Sequence, residues 1–245
     1  MEGRELRTFG ITPSPCHAVT PTTRRFCVTA AGGLESNTRM LAHEFIPARE
    51  ASSRWLMVVL HGLGDSMDGY RWLPPALNLP WLNYLLVNAP DEYYGGYSWY
   101  DLAANAEPGV RRSRAALFAL LDAQRAAGFP AAQTLMFGFS QGCLMTLEVA
   151  ARYPHRLAGC VGVSGYPHDP DRLIHELSPV AKEQRILLTH GTLDALIRIE
   201  LVRPEIEKLR QAGLQIEWRE FLKDHTIAGE TELKVLREFV VACRK

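Results

Sequence analysis

Net charge is missing from this 245-residue sequence: 27 Lys and Arg balance 27 Asp and Glu, and the pI is near 7.1. That balance excludes a strong electrostatic pull toward nucleic acid or an anionic membrane, so no nucleic-acid partner is expected. Long apolar runs are missing too. None approaches the roughly 20 residues of a membrane-spanning helix. Cysteine is scarce and odd in number, and Cys16, Cys27, Cys143, Cys160 and Cys243 have no metal-ligand spacing. The histidines are scattered, with no pair four residues apart, and no zinc or iron–sulfur pattern appears. A reducing compartment, the cytoplasm, is the simpler expectation. Cys143 and Cys160 read as small buried hydrophobes. There is no internal repeat, no Gly/Ser linker and no second core. One α/β domain is expected over residues 39–245, large enough to bury a substantial core.

Residues 1–38 read differently. They are rich in Thr, Pro, Arg and small residues and have no sustained period. The expectation is a poorly ordered extension. It lacks the continuous apolar segment of a secretory signal. An organellar transit peptide and an over-extended start are the two remaining readings, with Glu2, Glu5 and Glu35 counting against the first.

What is present is organised around Gly138-Phe139-Ser140-Gln141-Gly142. A G-x-S-x-G occurs by chance in roughly one chain in ten of this length, so its placement decides its value. The apolar run Leu135-Met136-Phe137 before it reads as a buried strand, and residues 143–150 after it read as a helix. Chain reversal within about five residues puts Ser140 on a strained strand-to-helix turn. Gly162-Val163-Ser164-Gly165 is the contrasting case. It also ends an apolar run, but the loop Tyr166-Pro167-His168-Asp169-Pro170 follows, so Ser164 reads as structural.

Strand and helix patterns alternate along the rest of the chain. An edge strand is expected at 40–46 and a doubly covered strand at 55–60, the latter delivering His61-Gly62-Leu63-Gly64-Asp65 at its C-terminal end. A short helix near 70–77 is broken up by Pro74 and Pro75. A strand at 84–87 precedes a Gly- and aromatic-rich loop over 91–108. Loops that follow parallel strands lie on the ligand face, so Tyr97 and Trp99 are candidates for a pocket wall. Helical spacing over 110–127, a strand at 157–163, a short helix or loop at 169–177 and a strand at 186–188 follow. A helix at 198–212, a strand at 214–222 and a closing helix at 230–243 complete the pattern. The alternation predicts a mostly parallel sheet with helices on both faces.

A serine hydroxyl needs a base within reach and a third group to orient that base. In such a fold the order is Ser, then Asp or Glu, then His. His225 is the one histidine after residue 190, and it falls on the same sheet edge as Ser140. Asp194, in the turn His190-Gly191-Thr192-Leu193-Asp194, is the expected acid. Asp224 is the rival, although an immediate neighbour's side chain tends to point away; Asp169 and Asp171 remain alternatives. Two N–H donors are needed for a tetrahedral oxyanion. Gln141 supplies one at the helix N-terminus, and Leu63 is the expected second. His61 and His190, each before a glycine, read as structural hydrogen-bonders. The glutamates over 200–207 read as a solvated helix face.

Leu60-His61-Gly62-Leu63-Gly64-Asp65, Ser98-Trp99-Tyr100-Asp101, the serine pentapeptide, His190-Gly191-Thr192-Leu193-Asp194 and the late His225 together resemble the phospholipase/carboxylesterase family of α/β-hydrolases, acyl-protein thioesterases and small carboxylesterases included. The resemblance covers nearly everything after about residue 40. It implies an α/β-hydrolase fold without a large cap domain. It also implies serine-dependent hydrolysis of small-molecule esters or thioesters, with no metal and no cofactor. Ala195-Leu196-Ile197 and Asp224 depart from residues common in the family without removing a catalytic group. Residues 66–79 do not match the thioesterases' acyl-binding loop, so a protein-depalmitoylating role is not carried over. The single Gly-Leu loop and the aromatic 93–100 region favour short to medium acyl chains. The alternative is a ligand-binding or regulatory protein on the same scaffold, since fold alone does not establish activity. A homo-oligomer is compatible with the sequence and not specified by it.

Overall fold

In the computed structural model, residues 40–102 and 105–244 are described. The expectation of an extension over 1–38 lies outside them, as do Cys16 and Cys27.

Seven strands form one sheet in the order β1 (His43–Ile46), β3 (Leu82–Val87), β2 (Trp55–Leu60), β6 (Thr134–Phe139), β7 (Gly159–Val163), β8 (Arg185–Gly191) and β9 (Gln215–Phe221). Among the described residues β1 ends the order, as the edge strand expected there, and within this sheet it alone is antiparallel to its neighbour. The run Trp55–Leu60 is apolar throughout because both of its faces are covered. Leu56, Val58 and Leu60 pack into one core layer, with Leu117 of α2 (Glu107–Ala126), Leu144 of α3 (Gln141–Arg152) and Val202 of α5 (Ile199–Gln211). Met57 and Val59 pack into the other, with Leu73 of α1 (Leu73–Leu77) and Leu236 of α6 (Gly229–Cys243). Each such fully buried Leu or Val contributes about 2 kcal/mol of hydrophobic stabilisation.

Several expectations are corrected in detail. Pro74 and Pro75 open α1 rather than break it, since a first-turn N–H has no helical partner to lose. Residues 91–108 are not a plain loop. They hold a hairpin of β4 (Asp91–Tyr93) and β5 (Gly96–Ser98), and α2 already starts at Glu107. At 169–177, where a short helix or loop is expected, there is a short helix, α4 (Pro170–His175), capped by Asp169 accepting from the Arg172 N–H at 3.1 Å.

The topology selects one edge. The chain leaves β2 for β3 on one side, then returns to β6 on the other. Such a reversal opens a crevice at the carboxyl ends of the two strands between which it occurs. Register levels those ends: Leu60 pairs with Gly138, Phe139 with Val163, Val163 with Thr189, and Gly191 with Phe221. The segments after β2, β6, β8 and β9 therefore emerge side by side.

Candidate active site

Ser140 sits between β6 and α3 at φ 54° and ψ −114°. A non-glycine residue there stores about 1–3 kcal/mol of strain. The flanking glycines make the turn sterically feasible. A Cβ on Gly138 would lie 2.1 Å from the Gly142 carbonyl oxygen. The Ser140 N–H donates to Val163 O at 2.9 Å, tying the elbow to β7. Ser164 is wholly buried behind it, as its structural reading requires.

His225 and Asp194 meet Ser140 from separate loops. The Ser140 hydroxyl lies 2.9 Å from His225 Nε2, and His225 Nδ1 lies 2.7 Å from Asp194 Oδ2. With Nδ1 protonated, Nε2 is left to accept from the serine. The Asp194 side chain is fully shielded. Burial pushes its carboxyl pKa up, but the Ile197 N–H at 2.8 Å and the His225 ring outweigh this and hold it below the ordinary carboxylate value. The Leu196 N–H donates to the same Oδ1 at 3.0 Å. Asp194 is thus fixed by its own turn and offers its second oxygen to the histidine. The other acids are placed elsewhere. Asp224 is exposed and makes no side-chain bond to His225. Asp169 caps α4, and Asp171 pairs with Lys208 at 2.7 Å.

Leu63 follows β2 in the loop that starts at His61, and Gln141 follows Ser140 as the first residue of α3. Neither backbone N–H has a protein acceptor among the described residues. Gln141 opens α3, where first-turn amides are unpaired and the helix end is electropositive. The Leu63 amide is aimed by its neighbour. His61 Nε2 accepts from the Ala89 N–H at 3.0 Å, so the ring proton sits on Nδ1, which donates to Gly62 O at 2.6 Å. In a trans peptide the N–H of Leu63 then points the opposite way. Gly62 stands beside the nucleophile, since a Cβ there would be 3.4 Å from Ser140 Cβ. Burial holds the His61 pKa below its ordinary value, consistent with a neutral ring.

Trp99 requires a correction. It is 0% exposed, so it offers no surface to a pocket. Its indole N–H donates to His61 O at 2.9 Å, supporting the Leu63 loop from behind. Tyr97 is half-buried on the hairpin, and its carbonyl accepts the Gly64 N–H at 2.9 Å. Sequence reasoning missed the Gln141 side chain. Its amide oxygen accepts from the Trp99 N–H at 2.9 Å and its Nε2 donates to Tyr100 O at 2.9 Å, clamping residues 98–100 onto the elbow. A glutamine opening a helix gives no sequence signal for this, because its partners lie some 40 residues away.

His190, read as structural, is wholly buried. It donates from Nε2 to Ile197 O at 2.8 Å and stacks on Trp218. Burial lowers its pKa. Among the described residues no group of His, Cys, Asp and Glu could hold a metal ion.

Likeness to known proteins bears on the family and the fold. The model of the family described as Phospholipase/Carboxylesterase matches residues 41–244. Acyl-protein thioesterase 1 of Schizosaccharomyces pombe is 36% identical over 154 residues, 58% of this chain and 69% of that protein. The protein of the same name from Yarrowia lipolytica is 31% identical over 172 residues, 63% of this chain and 75% of that one. Among solved structures, esterase PE8 has a TM-score of 0.75 at 27% identity, covering 83% of this chain and 99% of its own. Arabidopsis thaliana SOBER1 has a TM-score of 0.72 at 25% identity, covering 78% and 99%. With the sheet, the elbow and a family match over almost all described residues, the chain belongs to the phospholipase/carboxylesterase family of α/β-hydrolases.

Proposed function

We propose that the protein is a serine hydrolase that cleaves carboxylic esters or thioesters of short to medium acyl chains. The observation that carries this reading is the relay Asp194–His225–Ser140, two bonds of 2.7 and 2.9 Å ending on a strained serine. Ser140 Oγ attacks the acyl carbonyl carbon while His225 Nε2 takes the hydroxyl proton. The carbonyl π pair moves onto oxygen, where the Leu63 and Gln141 N–H groups hold it. Collapse of the intermediate breaks the bond to the leaving alcohol or thiol, which His225 protonates. Water, deprotonated by His225, then attacks the acyl-enzyme. The second collapse releases the carboxylic acid and returns the proton to Ser140. Asp194 keeps the imidazole in the required tautomer and stabilises the imidazolium.

The thioester side of the reading is supported by relatives named acyl-protein thioesterase 1, and the ester side by esterase PE8. In this reading the acyl chain lies outside the Leu63 loop and the Tyr97 hairpin, which are closed against one another by backbone bonds from Gly64 N–H to Tyr97 O and from Tyr97 N–H to Asp65 O, and that closure favours shorter chains. Cys143, Cys160 and Cys243 are free thiols, which supports a reducing, cytoplasmic setting. A single hydrolase domain over 39–245 is supported by the family match.

Fluorophosphonate labelling tests the assignment. The parent is expected to label stoichiometrically at Ser140, located by mass spectrometry, and Ser140→Ala not at all. A folded parent that stays unlabelled would favour a ligand-binding role on this scaffold.

A further inference from the structure

The loop carrying His225 is fastened by charges that the reaction does not use. It runs between β9 and α6, from Leu222 to Ala228. Lys223 near its start is buried, and Glu232 in the first turn of α6 is wholly so. Lys223 Nζ donates to both Glu232 carboxylate oxygens, at 2.6 and 2.8 Å. At the far end of the loop, the Ala228 N–H donates to Oε2 at 2.6 Å. Thr189 Oγ1, on β8, donates to Oε1 at 2.5 Å. One carboxylate thus gathers both ends of the loop and the neighbouring strand. Lys223 also reaches the acid's turn, because its carbonyl accepts the Leu193 N–H at 3.1 Å.

Taking both charges out of water is unfavourable, and an apolar pair would fill the same space. What charges add is direction: a carboxylate satisfied by an ammonium, a hydroxyl and an amide has one arrangement that suits all of them. We propose that the Lys223–Glu232 pair is a positioning latch that sets where His225 stands relative to Ser140. The inference rests on the catalytic reading of those two residues given above.

The test is the double variant Lys223→Met with Glu232→Gln, which removes both charges at similar volume. It is expected to fold, with kcat lowered roughly 10- to 100-fold, the cost of displacing a catalytic group by about an ångström. KM should hold within about twofold, and the fluorophosphonate labelling rate should fall in parallel with kcat. A folded double variant with parental kcat and labelling rate overturns the latch. Lys223→Arg decides the matter if the double variant does not fold. It keeps both charges but replaces the compact ammonium with a longer planar guanidinium, and a kcat loss of roughly 3- to 10-fold at constant KM is expected; a folded Lys223→Arg variant with unchanged kcat overturns the proposal. Labelling also separates the two readings. A parent that does not label at Ser140 removes the catalytic reading and the latch with it, whereas a parent and variants that label equally fast remove the latch alone.

Discussion

The Cβ that Gly142 lacks would sit 2.3 Å from the carbonyl oxygen of Leu60. The first turn of α3 is pressed against the end of β2, and this contact brings the Gln141 amide close to the Leu63 loop. Gly142→Ala forces that helix away from the strand. We expect a loss of about 1–3 kcal/mol, the usual cost of overpacking. That corresponds to a fall of roughly 3–10 °C in Tm. Activity at temperatures where the variant remains folded should fall by at least about 100-fold, because the Gln141 amide, the proposed oxyanion donor, moves with the helix. Thermal unfolding and ester turnover on the same preparation check both.

Asp194 and Asp224 offer a paired comparison. Asp194→Asn should lower kcat by about 10⁴-fold, since an amide can stabilise the wrong imidazole tautomer. Asp224→Asn, at an exposed side chain without a bond to His225, should stay within about twofold, as surface changes do. Steady-state kinetics of the two variants decide which acid serves, and the reverse order would remove Asp194 from the relay.

In the proposed mechanism His61 acts through the Gly62 peptide, whose carbonyl accepts from its ring. His61→Leu frees that peptide to rotate and leaves the Ala89 N–H without its acceptor. The expected loss is about 100-fold in kcat with KM little changed, the signature of a donor used in the transition state. Equal changes in kcat and KM would point to a general collapse of the loop instead.

Stability should fall on mild acidification. His61 and His190 both have folded pKa values below the ordinary 6.5, held there by burial. Between that value and their folded values the unfolded chain binds protons that the native state does not, so stability is full above about pH 6.5 and declines as pH drops below it. Asp194, held low, adds stability that is kept above the ordinary carboxylate value of about 4 and lost only below it. Urea unfolding at pH 8 and pH 5.5 should give a lower midpoint at the acid pH. His190→Gln, which keeps a donor for Ile197 O, should narrow the gap.

Legibility in the sequence followed the range of the forces. Trp55–Leu60 could be read because a doubly covered strand must be apolar at every position. Gly138 and Gly142 marked the elbow because a local steric requirement fixes residue type at a fixed spacing. The order of Ser140, Asp194 and His225 followed from strand succession. The β4–β5 hairpin could not be read, because its strands are three residues each and are held by the Tyr97 backbone pairing with Gly64 and Asp65, some 30 residues away. Trp99 was misjudged for a related reason: an aromatic in a loop carries no mark of which way it faces. Lys223 and Glu232 passed unnoticed since charged residues are solvated by default, and only tertiary structure brings the two together in the interior.

Among the described residues strand β9 has a neighbour on one side only. Of the sheet segments that feed the site, it alone ends the array, and much of it is exposed. Local opening of a protein costs least at such margins. Opening there is expected to carry His225 away while β2 and β6 keep Ser140 and the Leu63 and Gln141 amides in place. Inactivation by mild denaturant should therefore precede global unfolding, and the transiently opened molecule should hold an unactivated serine in an otherwise intact crevice.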